Sequence, residues 1–157
     1  MPKTPADADP QGWHRYFAME ANNRAWALAA ATRDAALDAE MLDAAHASAW
    51  HWAAVGTELH RMRATMLLAE VHALVGDGLK ALDYAEAMRA HFLAHDTPDW
   101  ELAFTHTIYA HAAHCAGEDD AHRAAWHAAV AAIEAIADDE DRQIVMKTFA
   151  LVPAPAP

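Results

Sequence analysis

Histidines are the side chains of this sequence most able to do chemistry: there are 12 of them in 157 residues. Imidazole binds transition metals and changes its charge near neutral pH. Spacing decides whether two imidazoles can act together, because residues three or four positions apart share one face of a helix. Three groups of residues that include histidines contain such spacing, and they lie in three separate stretches of the chain.

The first group contains Asp43, His46, Trp50 and His51. Asp43, His46 and Trp50 share one helical face, whereas His51 points about 140° away from His46. A carboxylate beside an imidazole fixes its tautomer and raises its basicity, as a general base or a metal ligand requires. The alternative interpretation is a polar pair packed between helices.

The second and third groups have spacing that suits a metal ion. His91 and His95 are four residues apart, as are His111 and Cys115, and His114 is three residues from His111. Two imidazoles, or an imidazole and a thiolate, can bind zinc or another transition metal from one helical face. Surface histidines and a packed cysteine explain the same residues without a metal. We therefore predict no cofactor, with zinc or another transition metal as the alternative.

Signatures of common enzymes are missing from the sequence. It contains no Glu-x-x-His, no His-Glu-x-x-His, no Gly-x-Ser-x-Gly and no phosphate-binding or dinucleotide-binding glycine motif. The pattern assigns no catalytic residue and favours a non-enzymatic protein.

Composition narrows the class of partner. A net charge of −12 repels nucleic acids and anionic membranes, and no apolar run is long enough to suggest a membrane span. The single cysteine, Cys115, excludes an intramolecular disulfide and fits a reducing cytoplasm. We expect a cytoplasmic protein that binds neither nucleic acid nor membrane.

The elements that position the histidines are predicted to be helices throughout. Alanine is abundant, β-branched residues are sparse, and no stretch alternates apolar and polar residues as a strand would. Residues 1–11 and 151–157 are predicted to be a flexible tail and a Pro/Ala tail around one domain, 12–150. The predicted helices cover 12–31, 34–55, 57–75, 79–94, 98–116, 119–136 and 138–150. Thr57 is expected to cap the third helix, and Thr97 to cap the fifth with Pro98 at its first position.

Short loops predict an all-α fold of about seven antiparallel helices arranged as hairpins. The segment A-E-V-H-A-L-V-G-D-G-L-K-A-L-D-Y-A-E-A-M, residues 69–88, resembles a tetratricopeptide repeat. Ala69, Ala81 and Ala85 fall at its small-residue positions, and Gly76 falls at its turn. A looser second hairpin surrounds Gly117, which is 41 residues after Gly76.

This resemblance implies a stack of helical hairpins with a concave face, formed by the first, third and fifth helices, that binds a peptide or protein. A second resemblance, carried by M-L-D-A-A-H-A-S-A-W-H-W-A-A-V-G-T at 41–57, is to small bacterial helical proteins to which no activity is assigned.

The sequence thus predicts a peptide-binding or protein-binding adaptor that could also form a homodimer. The expected binding residues are Asp43, His46, Trp50, His51, Trp52, His72, Glu101 and His106. Two alternatives stay open at this point: a metal-binding protein or metalloenzyme that uses histidines of the second, third and fifth helices, and a helical protein that responds to pH.

Overall fold

The computed structural model describes residues 3–5 and 9–156, and in this part of the chain it contains seven α-helices and no strand. This confirms the predicted all-α fold of helical hairpins. The helices are α1 (Pro10–Ala29), α2 (Ala35–Val55), α3 (Glu58–Leu74), α4 (Gly78–Ala94), α5 (Asp99–Ala116), α6 (Asp119–Ala135) and α7 (Asp139–Phe149).

Helix starts follow the capping residues of the sequence. Side chains of Asp34, Thr57 and Asp138 accept hydrogen bonds from backbone N–H groups in the first turns of α2, α3 and α7. Helix α1 begins at Pro10, two residues before the predicted start, because Asp9 caps it and proline suits the first turn. Residues 10 and 11 of the predicted tail therefore belong to α1, and part of that tail lies outside the described residues.

The start of α5 differs from the prediction. Pro98 occupies the N-cap position, and the Thr97 hydroxyl instead donates to the Phe92 carbonyl at the end of α4, 2.7 Å away. Thr97 therefore joins the end of one helix to the start of the next, and the capping prediction for it was wrong.

Two glycines end the first helices of successive hairpins in the same way. Gly76 and Gly117 have φ angles of 80° and 78°, a conformation that side chains other than glycine adopt at a cost. The residue after each glycine donates its N–H back to the preceding helix, from Asp77 to His72 O and from Glu118 to Ala113 O. The two hairpins therefore turn with matching geometry.

Packing places the odd-numbered helices side by side. Each helix contacts the next along the chain, and α1 contacts α3, α3 contacts α5 and α5 contacts α7. Alanines with no exposed surface, such as Ala69, Ala85 and Ala112, let the helices approach closely around Phe92 and Ile108. The odd helices thus form one layer, and α3 and α5 lie at its centre.

The C-terminal segment packs against this layer. Val152 is buried beside Ala110 and Ala125, and the ring of His122 hydrogen-bonds the Pro153 carbonyl at 2.8 Å. The predicted Pro/Ala tail is therefore in contact with α5 and α6. Among the described residues, the helices all fall short of the length and apolar character needed to cross a membrane.

Candidate binding site

A groove runs between the odd-numbered helices, and we call it the central groove. It has two compartments, with volumes of about 390 and 360 Å³. Trp26, Ala30, Lys147 and Thr148 line both, so the compartments are continuous. The outer compartment is also lined by Asn22, Arg63, Met66, Trp100, Glu101, Phe104 and Ile144. The inner compartment is also lined by Ala29, Glu70, Ala150 and Leu151.

A forked ion pair joins α3 to α5 in the outer compartment. Arg63 Nε and Nη2 donate to the two carboxylate oxygens of Glu101, at 2.6 and 3.0 Å. Glu101 is 2 % exposed, so its charge is compensated almost entirely by this arginine. The same bonds raise the pKa of Arg63, whose guanidinium also lies 5.6 Å from the centre of the Trp100 ring. The pair is therefore held in place, carries no net charge and forms part of the wall of the outer compartment.

A second carboxylate, Glu70, lies at the floor of the inner compartment and is fully buried. His111 Nδ1 donates to its Oε2 at 3.0 Å, which joins α3 to α5 a second time. Glu70 Oε1 is also buried and has no hydrogen-bond partner within the described protein. A buried polar atom without a partner is costly, so Oε1 is the unusual feature of the groove.

Glu70 and His111 occupy equivalent places in the two hairpins. They are 41 residues apart, and each stands six residues before the glycine that ends its helix. Matching turns at Gly76 and Gly117 bring these equivalent positions of α3 and α5 together. The carboxylate–imidazole contact is therefore a consequence of the repeated hairpin.

Of the predicted binding residues, Glu101 is the one that lines the central groove. Trp50 and Trp52 are two residues apart and point to different sides of α2. Trp50 is 65 % exposed, whereas Trp52 is buried against Ala18 and Ala64 and stacks on His60. Burial lowers the pKa of His60, so this imidazole favours the neutral form. Trp52 is consequently a packing residue and is not available as a binding contact.

The predicted group on α2 forms histidine pairs with neighbouring helices. His46 Nε2 lies 3.2 Å from His72 Nε2, and His51 Nδ1 lies 2.9 Å from His14 Nδ1. Asp43 is exposed, and the side chain of His46 forms its hydrogen bond with His72. One imidazole of each pair must donate and the other accept, so neither pair can be doubly protonated without repulsion.

The remaining predicted contacts, His72 and His106, lie away from the groove lining. Burial, and next the neighbouring His46, lowers the pKa of His72 despite Asp77, whose Oδ2 is 3.3 Å from His72 Nδ1. Burial likewise lowers the pKa of His106, helped by the charge of Arg89. Both imidazoles therefore favour the neutral form in the folded protein.

His91 and His95 stack with ring centres 4.3 Å apart at the end of α4. His95 Nδ1 donates to the His91 carbonyl at 2.7 Å, and Glu58 Oε1 lies 3.8 Å from His91 Nδ1. These side chains line a separate cleft on the other side of the Arg63–Glu101 pair. The ring nitrogens that make these contacts therefore face groups of the chain itself, the His91 carbonyl and the Glu58 carboxylate.

The predicted third group does not converge on one point. His111 faces Glu70, Cys115 Sγ donates to the Ala73 carbonyl at 3.1 Å, and the His114 ring lies 4.9 Å from His122. Burial raises the pKa of the Cys115 thiol, and the charge of Glu70 adds to this, so the thiolate that a metal needs is disfavoured. Within the described residues, no three His, Cys, Asp or Glu side chains lie together as a metal site would require.

Five residues that line the groove were not predicted from the sequence as binding residues: Trp26, Arg63, Glu70, Phe104 and Lys147. One signal was available for Glu70, which is the single charged residue in the apolar run M-L-L-A-E-V-H-A-L of α3. A charge at the centre of such a run must be buried with a partner or face a ligand.

Comparison with protein-family models, with curated proteins and with solved structures finds no significant match to this chain.

Proposed function

We propose that the central groove binds a segment of a partner polypeptide, so that the protein acts as a non-enzymatic adaptor. The observation that carries the proposal is the concentration of half-buried aromatic rings in one concave layer. Trp26, Trp100 and Phe104 all line the outer compartment. Aromatic side chains dominate the binding energy of protein interfaces, and a groove desolvates them on several sides.

Charge supports a basic or neutral polypeptide as the occupant. The chain carries a net charge of −12, which attracts basic segments and opposes the approach of a second copy. The Arg63–Glu101 pair is internally neutral and does not counter this preference, whereas the exposed Lys147 is a positive charge in the lining that does. A cytoplasmic location belongs to the same proposal, because one cysteine suits a reducing compartment.

The tetratricopeptide resemblance supports the same occupant. In that architecture the first helices of successive hairpins line the concave face, and here α1, α3, α5 and α7 line the central groove. The expected face consisted of three helices, and α7 adds a fourth.

The test is to select peptides from a displayed random library on the full chain and to measure their dissociation constants. Ile144 lines the groove but is 49 % exposed, so Ile144→Arg can obstruct the groove without disturbing the core. We expect Trp26→Ala and Ile144→Arg to weaken binding by at least about tenfold, the loss of one anchor contact. Leu79→Ala, at a 79 % exposed position on α4, is the control and should change binding less than about twofold.

Three results would overturn the proposal. Selected peptides could bind both groove variants as tightly as the unaltered chain, or selection could return no peptide with a dissociation constant below about 1 mM. Sedimentation could also show a dimer that the groove substitution Ile144→Arg dissociates, in which case a second copy fills the groove.

A further inference from the structure

The inner compartment contains a carboxylate that the protein itself only half satisfies. From this we infer that Glu70 receives the ammonium group of a lysine side chain from the bound polypeptide. The inference rests on the proposed function, which it deepens by naming the residue that the groove selects.

Glu70 needs a donor that the described protein does not supply. Its Oε2 accepts from His111, its Oε1 is buried without a partner, and the residue lines the inner compartment. An ionised carboxyl leaves Oε1 without a donor, and a carboxyl protonated there leaves the hydroxyl without an acceptor. A ligand ammonium satisfies the ionised form with both a hydrogen bond and an opposite charge.

The walls of the compartment suit the stem of a lysine. Trp26, Ala29, Ala30 and Leu151 provide apolar surface beside Glu70. A methylene chain can pack on such a surface while its ammonium reaches the carboxylate. The indole of Trp26 also attracts a nearby cation through its ring face.

Lys147 lines the same compartment and opposes a second cation there. It is exposed, so its ammonium stays in water at the rim, whereas Glu70 is at the floor. This arrangement predicts that two substitutions in one compartment have opposite effects on affinity. Removing the charge of Glu70 and removing the charge of Lys147 should change the affinity for an amine in opposite directions.

The experiment titrates n-butylammonium, which reproduces the lysine side chain, into the full chain and follows the indole N–H of Trp26 by NMR. We expect saturable shifts, with affinity reduced at least about tenfold by Glu70→Gln and increased by Lys147→Met. Glu86→Gln removes the same charge from an exposed position on α4 and should leave the affinity within about twofold. Butan-1-ol, which has the stem without the charge, should bind more weakly than the amine.

The inference fails if n-butylammonium produces no saturable shift. It also fails if the amine binds Glu70→Gln as tightly as the unaltered chain, or if Lys147→Met weakens binding, since Lys147 would then hold the amine instead of opposing its charge.

These outcomes are separable from the proposed function. Peptides that depend on Trp26 and Ile144 yet tolerate replacement of every lysine by norleucine would remove the lysine inference alone. An amine site at Glu70 without any groove-binding peptide would remove the polypeptide proposal and leave a small-molecule amine as the ligand.

Discussion

Glu101 and Glu70 lie in neighbouring compartments of the same groove and are both buried, yet their hydrogen bonds differ. Arg63 binds both oxygens of Glu101 in a fork, whereas His111 binds one oxygen of Glu70. A carboxylate with both oxygens paired to a guanidinium is complete within the fold. A carboxylate with one buried oxygen left over is incomplete, and such incompleteness is expected where a ligand supplies the missing group. The two residues separate a structural ion pair from a candidate recognition group.

The largest expected effect comes from removing the arginine of the complete pair. Arg63→Met leaves the Glu101 charge buried without its partner and should lower the free energy of unfolding by about 2 kcal/mol. This is less than a fully enclosed pair would lose, because Arg63 is 42 % exposed and water can replace it.

Urea denaturation measures this effect, and Arg24→Met provides the control. Arg24 also pairs with a glutamate, Glu40, but both side chains are about half exposed. The control should leave the urea midpoint unchanged within error. Equal losses in the two variants would mean that burial of Glu101 contributes nothing to the pair.

A smaller effect on stability distinguishes Glu101 from Glu70 directly. Glu101→Gln breaks two charge-assisted hydrogen bonds and should cost about 1.5 kcal/mol in unfolding free energy. Glu70→Gln keeps an acceptor for His111 and no longer buries a charge, so it should cost less than about 0.5 kcal/mol. Chemical denaturation of both variants at pH 7 checks the order. A larger cost for Glu70→Gln would place Glu70 among the residues that hold the fold together.

The third prediction uses pH and concerns the histidines rather than the carboxylates. Burial lowers the pKa values of His51, His60, His72, His106 and His114 in the folded state. The unfolded chain therefore binds more protons below about pH 6.5, so stability is complete above that pH and is lost as the pH falls. Thermal unfolding should show a lower Tm at about pH 5 than at about pH 7.

This loss should persist in both glutamate variants and should be reduced in His106→Asn, because His106 is a half-buried imidazole whose protonation Arg89 opposes further. A Tm independent of pH over this range would contradict the assigned pKa directions. Loss of the pH dependence in Glu70→Gln would instead assign it to the Glu70–His111 pair.

Helix positions were predictable because their signals are local. Asp34, Thr57 and Asp138 precede helices and cap them, and Gly76 and Gly117 end them. Where a prediction was wrong, a contact from elsewhere had intervened. Thr97 bonds the previous helix instead of capping the next one.

The site was much less predictable, because spacing along one helix does not show what lies opposite. His46 was expected to work with Asp43 three residues away, yet its recorded partner is His72 from the next helix. His111 and Cys115 share a helical face, but their partners are Glu70 and the Ala73 carbonyl of α3. The histidines therefore act mostly in contacts between helices.

The sequence by itself determined the all-α fold, most of the helix boundaries and the acidic charge, because these depend on local propensity, capping and composition. Tertiary structure decided which residues meet. Side-by-side packing of α3 and α5 brings Glu70 to His111 and Arg63 to Glu101, across 41 and 38 residues of chain. Whether a buried carboxylate has one bound oxygen or two depends on the distance and angle between packed helices, and no local pattern encodes these.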